Sequence, residues 1–394
     1  MFSMLGIIMY HIVRYHIDYN RFALVSPDTG SNFYHLEVIQ LFYTFGQLGN
    51  TLFILITGYF LITKKEINVI KAGSNLLLRA YLVAIVLLVA SYLFVKFQLP
   101  ISTTSNMHML LKGWWFIGYY VFIIIFANYF LNNFLSRLDK KKYLTFIMVL
   151  LLLVSFTELF NIFSNLRIQN LMIGILVYAI GGFIRLYNPL KDIKWLTLCL
   201  FLALFVLIQV FQYKVNLNTN LQLFYLDQPA SGMASSPFND VLWSPSLIFL
   251  TASLVIFELF QRLNIGSQPL INKLSATTFT VYLVHESAFF RQAYFKSLPL
   301  PNRIGLLKEV STKVTKQDIS VLDTPDSWLS LRDFLNISQV FQDRGTLIGI
   351  AYMSFLALII FILGILMELL LQLIYKLFNL LFSKEIKKIT QRLA

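Results

Sequence analysis

The chain reads as an all-α integral membrane protein, a bundle of about ten transmembrane helices with both termini cytoplasmic. Three observations predict this. Of 394 residues, 57% are hydrophobic and only 13% charged, with a mean hydropathy of +0.70; soluble domains of this size do not have that composition. The apolar residues gather in runs near the ~20 residues that a bilayer-spanning helix needs. Lys and Arg fall between the runs, and mostly on one side of them.

In order, the candidate spans are about 1–14, 38–62, 75–97, 114–135, 143–162, 169–187, 195–214, 244–263, 275–295 and 345–373. The segments that this arrangement puts inside hold eighteen of the 32 basic residues, from Lys64 and Lys65 to Lys387, Lys388 and Arg392. The short outer segments hold six, among them Arg14 and Lys96. Positive charge marks the cytoplasmic side of short loops, which places the C-terminus inside. Residues 291–344 read as the one sizeable outer loop, too small for a domain of its own, and 216–243 as a second outer loop rich in turn residues. The whole chain, 1–394, is then one transmembrane domain.

Several function classes are excluded at this level. The net charge of +13 does not signify nucleic-acid binding, because the basic residues lie between spans rather than on one face. A single cysteine, Cys199, leaves no disulfide framework and no thiolate metal site. The five histidines and the carboxylates show no metal-ligand spacing on one span, so no metal is expected. No cleavable signal peptide is visible.

Polar residues inside the spans carry the functional reading, because an ionisable group in a bilayer is costly. His11 ends the first apolar run, MFSMLGIIMYH. Imidazole exchanges protons near neutral pH, so His11 is a candidate general base. In the second span Gln47, Asn50 and Thr57 share a helical face, either as polar glue or as the wall of a cavity. Gly46, Gly49 and Gly58 there admit a close neighbouring backbone. Arg79 opens the third span; it either snorkels to the interface or turns inward to bind phosphate. Trp114 and Trp115 open the fourth and suit an aromatic belt, or stacking on a sugar. In the ninth, Tyr282, His285 and Glu286 share one face near mid-membrane, a polar pair that should face the interior, close to His11.

These pieces resemble a known family. SMLGIIMYH, GNTLFILITGYFLI, GWWFIGYYVFIII, ILVYAIGGFIRLY and SATTFTVYLVHES, in this order, are similar to the signatures of the membrane-bound acyltransferase 3 family, in particular the branch that O-acylates bacterial capsular and exopolysaccharides. The resemblance implies transfer of an acyl group, most often acetyl, from cytoplasmic acetyl-CoA or another acyl-CoA to a saccharide acceptor at or beyond the outer face of the plasma membrane. It implies a catalytic role for His11 and CoA binding by a basic residue at the place of Arg79. His285 and Glu286 would orient the base or hold acceptor hydroxyls. Gln47, Asn50 or Tyr282 would donate to the oxyanion, and Trp115 and Tyr120 would contact substrate. Two departures stand out. Tyr119 and Tyr120 stand where many members carry Glu, and the family's basic residue eleven positions before the histidine falls one position before Met1. Because the first span is also short, with about 13 apolar residues before Arg14, an upstream start is expected. A lipid-linked sugar transporter, or a non-catalytic partner of a polysaccharide synthesis complex, would share the composition but would need no base at His11.

Overall fold

The computed structural model describes residues 1–17, 31–103, 107–112, 114–155, 169–225, 247–263, 266, 268–291, 293–296 and 328–393. The chain is mostly helical. Three helices are long and apolar enough to cross a membrane among the described residues: Val69–Lys96, Trp115–Leu135 and Thr346–Phe378.

In chain order the helices are α1 (Phe2–His16), α2 (Ser31–Leu61), α3 (Val69–Lys96), α4 (Met107–Lys112) and α5 (Trp115–Phe126). A π-helical turn, Ala127–Leu131, joins α5 to α6 (Asn132–Leu135). Then come α7 (Lys140–Ser155), α8 (Gln169–Tyr187), α9 (Trp195–Tyr225) and α10 (Leu247–Arg262). The last group is α11 (Pro269–Ala276), α12 (Thr278–His285), α13 (Ala288–Arg291), α14 (Leu331–Leu335), α15 (Ile337–Arg344) and α16 (Thr346–Leu393).

Small residues set the spacing of the central helices. A methyl at Gly46 would lie 2.6 Å from the Tyr10 ring, and one at Gly49 would lie 2.8 Å from the Ser3 carbonyl, so α1 lies directly along α2. On the far side of α2, Gly58 meets the Tyr178 carbonyl and Gly181 the Leu55 carbonyl, which brings α8 equally close. A methyl at Gly364 of α16 would lie 2.6 Å from Val281 Cα of α12. Helices in lipid lack a hydrophobic drive to associate, so such close backbone contacts supply much of the attraction. Two apolar cores result. One joins α1, α3, α12 and α16; the other joins the C-terminal half of α2 to α5, α7 and α8.

Several elements differ from the sequence reading. The ninth span is not one helix: it turns at Thr277 and again at Glu286–Ser287, so α12 has only eight residues. α9 runs to Tyr225, because residues 215–225 contain no Gly or Pro to stop it. α16 continues through the charged tail to Leu393. A small sheet interrupts the all-α pattern: Ile101–Ser102, Tyr294–Lys296 and Trp328–Ser330 pair antiparallel, in that order. After it, α14 and α15 fold onto the bundle, with Ile337 and Phe341 fully buried, so the C-terminal part of the expected outer loop is packed. Residues 297–327, the rest of that loop, and 226–246 of the other lie outside the described residues.

Candidate active site

α1 carries His11 on the face that leaves α2, and α12 brings His285 to it from 274 positions away: His11 Nδ1 lies 3.0 Å from His285 Nε2. The other nitrogen of His285, Nδ1, lies 2.8 Å from the Val281 carbonyl one turn back. A carbonyl only accepts, so Nδ1 of His285 carries a hydrogen. In a neutral pair, Nε2 of His285 is then the acceptor and His11 Nδ1–H the donor. The chain of bonds fixes the tautomer of His11 and leaves its Nε2 with the free lone pair.

Glu286 caps α12 and places Oε1 3.4 Å from that nitrogen. Arg291, one turn on in α13, holds the same oxygen in an ion pair. The Arg291 guanidinium also lies over the Tyr15 ring at 4.4 Å, and Tyr15 stacks on His11 at 5.6 Å. Glu286 is 2% exposed, so its charge is balanced by Arg291 rather than by solvent. Glu286 Oε2 and Arg291 Nε are buried and have no hydrogen-bond partner among the described residues. His11, Tyr15, His285 and Arg291 line a cavity of about 150 Å³ bounded by α1, α12, α13, α14 and α16.

A larger cleft of about 780 Å³ opens beside α3, α5 and α16, and contains Arg79, Asn75, Tyr120, Phe279, Gln372 and Lys376. Arg79 Nη1 lies 3.5 Å from Glu368 Oε2, and Arg79 remains 42% exposed. Glu368 accepts from Thr280 of α12 and, at 3.1 Å, from Gln372. From this cleft, Phe279, Tyr282 and His285 form one stripe along α12, with successive rings 6.4 and 5.9 Å apart. The Tyr282 hydroxyl accepts the Phe116 N–H at 3.3 Å, and its own hydrogen is left to donate.

The remaining expected site residues are divided. Gln47, Asn50 and Trp115 line a third cavity of about 100 Å³ with Tyr119, separate from the one at His11. This placement removes the basis for Gln47 or Asn50 as oxyanion donors beside His11. Thr57 does not join them; it bonds the Phe53 carbonyl at 2.8 Å and Tyr120 at 3.3 Å. Tyr120 lines the large cleft, not the cavity of Trp115. Trp114 is no belt residue: it is buried, and its Nε1–H donates to the Leu283 carbonyl at 2.9 Å, pinning α12.

No metal was expected because no ligand spacing occurs along one span; the fold brings three ligand residues together across spans. The ligand atoms of His11, His285 and Glu286 lie within 4.8 Å of one another. Arg291 already supplies the positive charge at Glu286, so a second cation there would be repelled.

A family model described as an acyltransferase domain matches residues 1–307. The chain belongs to the acyltransferase 3 family. No curated protein and no solved structure matches it. For an integral membrane acyltransferase, the cluster offers what acyl transfer needs: a base of defined tautomer, a carboxylate beside it and a cavity for the reacting groups. Sequence reasoning missed Arg291, Tyr15 and Glu368. In the sequence, Arg291 falls at the start of the outer loop, and its spacing of five from Glu286, next to two phenylalanines, is the available signal.

Proposed function

We propose that this acyltransferase moves an acyl group from cytoplasmic acyl-CoA to a hydroxyl of a cell-surface or lipid-linked saccharide, with His11 as general base. The observation that carries the reading is the bonded chain from the Val281 carbonyl through His285 to His11, which leaves His11 Nε2 basic and beside Glu286. In the reaction, His11 Nε2 takes the hydroxyl proton as the oxygen attacks the thioester carbon. Glu286 stabilises the imidazolium. The C–S bond breaks as the tetrahedral intermediate collapses, and the leaving CoA sulfur receives the proton back. Base catalysis of this kind contributes roughly 10²–10⁴-fold. Tyr282 donates to the developing oxyanion.

Arg79 and Lys376 offer the large cleft two cations for the donor's phosphates. Gln47, Asn50 and Trp115 bring two amides and a ring to a separate, otherwise mostly apolar cavity, where they would contact a part of the acceptor remote from the hydroxyl that reacts at His11. The O-acylating branch, acetyl as a donor group, the ten-span topology with cytoplasmic termini and the plasma-membrane location belong to the same reading. They are supported by the signature motifs and the placement of basic residues. The test is to follow labelled acetyl from acetyl-CoA onto surface polymer in cells with the wild-type chain or His11→Ala. Label that depends on His11 supports the proposal. Equal label with a normally expressed His11→Ala chain overturns it.

A further inference from the structure

Resting on that reading, we infer that the cavity beside His11 is the site of the donor's acyl group, and that it favours chains longer than acetyl, of about four to six carbons. Three observations carry this. The first is position. α16 walls both spaces: Glu368, Gln372 and Lys376 line the large cleft, and Leu356, Ile360 and Leu363 line the cavity at His11. A donor whose nucleotide lies in the cleft and whose thioester reaches His11 along the α12 stripe therefore projects its acyl group into that cavity.

The second is chemistry. The polar side chains, His11, Tyr15, His16, His285 and Arg291, belong to α1, α12 and α13, whereas α14 and α16 contribute only carbon. A sugar ring filling this space would leave its hydroxyls against Leu335, Leu356 and Ile360 without partners, which is costly. An alkyl chain meets them favourably. The third is size. About 150 Å³ equals the share of some five waters at ~30 Å³ each, more than the single methyl of acetyl fills. The rim is apolar too: Ile359 and Leu363 are 37% and 38% exposed. A longer chain therefore leaves the cavity over carbon.

The experiment uses the full chain in nanodiscs and a series of donors, acetyl-, propionyl-, butyryl-, hexanoyl- and octanoyl-CoA, with water standing in as acceptor. Release of the CoA thiol is followed. Water adds to the thioester carbon, the C–S bond breaks, and a free acid and the thiol result. The specificity constant should rise about fourfold per added methylene, the ~0.8 kcal/mol of burying one, and level off beyond hexanoyl. Ile360→Phe narrows the cavity and should flatten this rise, its loss relative to the wild type growing with chain length. Partition of long donors into lipid would steepen both profiles equally, so the difference in slope between the two chains is the decisive reading. A wild-type profile that is flat or favours acetyl, with His11→Ala inactive, overturns the inference and leaves acyl transfer standing. Thiol release by the wild type that is unchanged in His11→Ala overturns His11 as the base and the inference with it.

Discussion

His285 decides which nitrogen of His11 is basic, and that makes the two histidines unequal. Removal of His11 takes away the base itself; His11→Ala should lower turnover by about 10²–10⁴-fold. His285→Ala leaves the base but frees its tautomer, so the loss should be smaller, with the KM for the donor unchanged. A steady-state comparison of kcat and KM for the two variants checks this. At Arg79, the planar fork presented to the cleft is lost in Arg79→Lys, and the KM for acetyl-CoA should rise about tenfold, the scale of one charge-assisted hydrogen bond. An unchanged KM would leave Arg79 as the partner of Glu368 alone. His11, His285, Glu286 and Arg79 were legible in the sequence because ionisable groups stand out in apolar runs. The approach of His285 to His11 was readable too, from the polar face of the ninth span, and the 3.0 Å contact agrees with it; which ring nitrogens meet was not, since no local pattern encodes that geometry across 274 positions. Arg291 was hidden for a different reason: it looked like a loop cation, and only the turn at Glu286–Ser287 folds it back onto Glu286.

α12 is the element on which the site depends, and at eight residues it has little stability of its own. Its position is set by Trp114 bonding the Leu283 carbonyl, by Thr280 bonding Glu368, and by Gly364 of α16 lying against Val281. Gly364→Ala would place a methyl 2.6 Å from Val281 Cα, a backbone contact that cannot rotate away. The expected cost is that of overpacking, roughly 1–3 kcal/mol. Because Val281 is also the acceptor that orients His285, kcat should fall along with the melting temperature. Thermal unfolding in detergent, set beside turnover at a temperature where the variant remains folded, separates the two effects. Unchanged kcat in the folded variant would mean that the spacing of α12 and α16 does not govern the base. The glycines of α2 were readable as packing residues from the sequence. The break in the ninth span was not, because SATTFTVYLVHESAFF contains no Gly or Pro and reads as one continuous apolar helix.

For the whole molecule, the reading requires that the donor enter the cleft from one side of the membrane and the acceptor hydroxyl reach His11 from the other. α16 supports such a path: its Lys376 end lies at the cleft and its Leu356 end at the cavity, some twenty residues or ~30 Å apart. That distance matches the hydrocarbon thickness of a bilayer. Under the proposed topology, the basic residues of the cleft and tail would put that end on the cytoplasmic side. Arg332 of α14 is exposed beside Leu331 of the cavity, at the other end. In a chain whose only cysteine has been removed by Cys199→Ser, Arg332→Cys should react with a membrane-impermeant maleimide in intact cells. Lys376→Cys should react only after the membrane is opened, and acetyl-CoA should slow that reaction because it fills the cleft. Labelling of both positions from the same side would mean that donor and acceptor share one compartment. Transfer across the membrane would then be ruled out, while the geometry at His11, which does not depend on orientation, would stand.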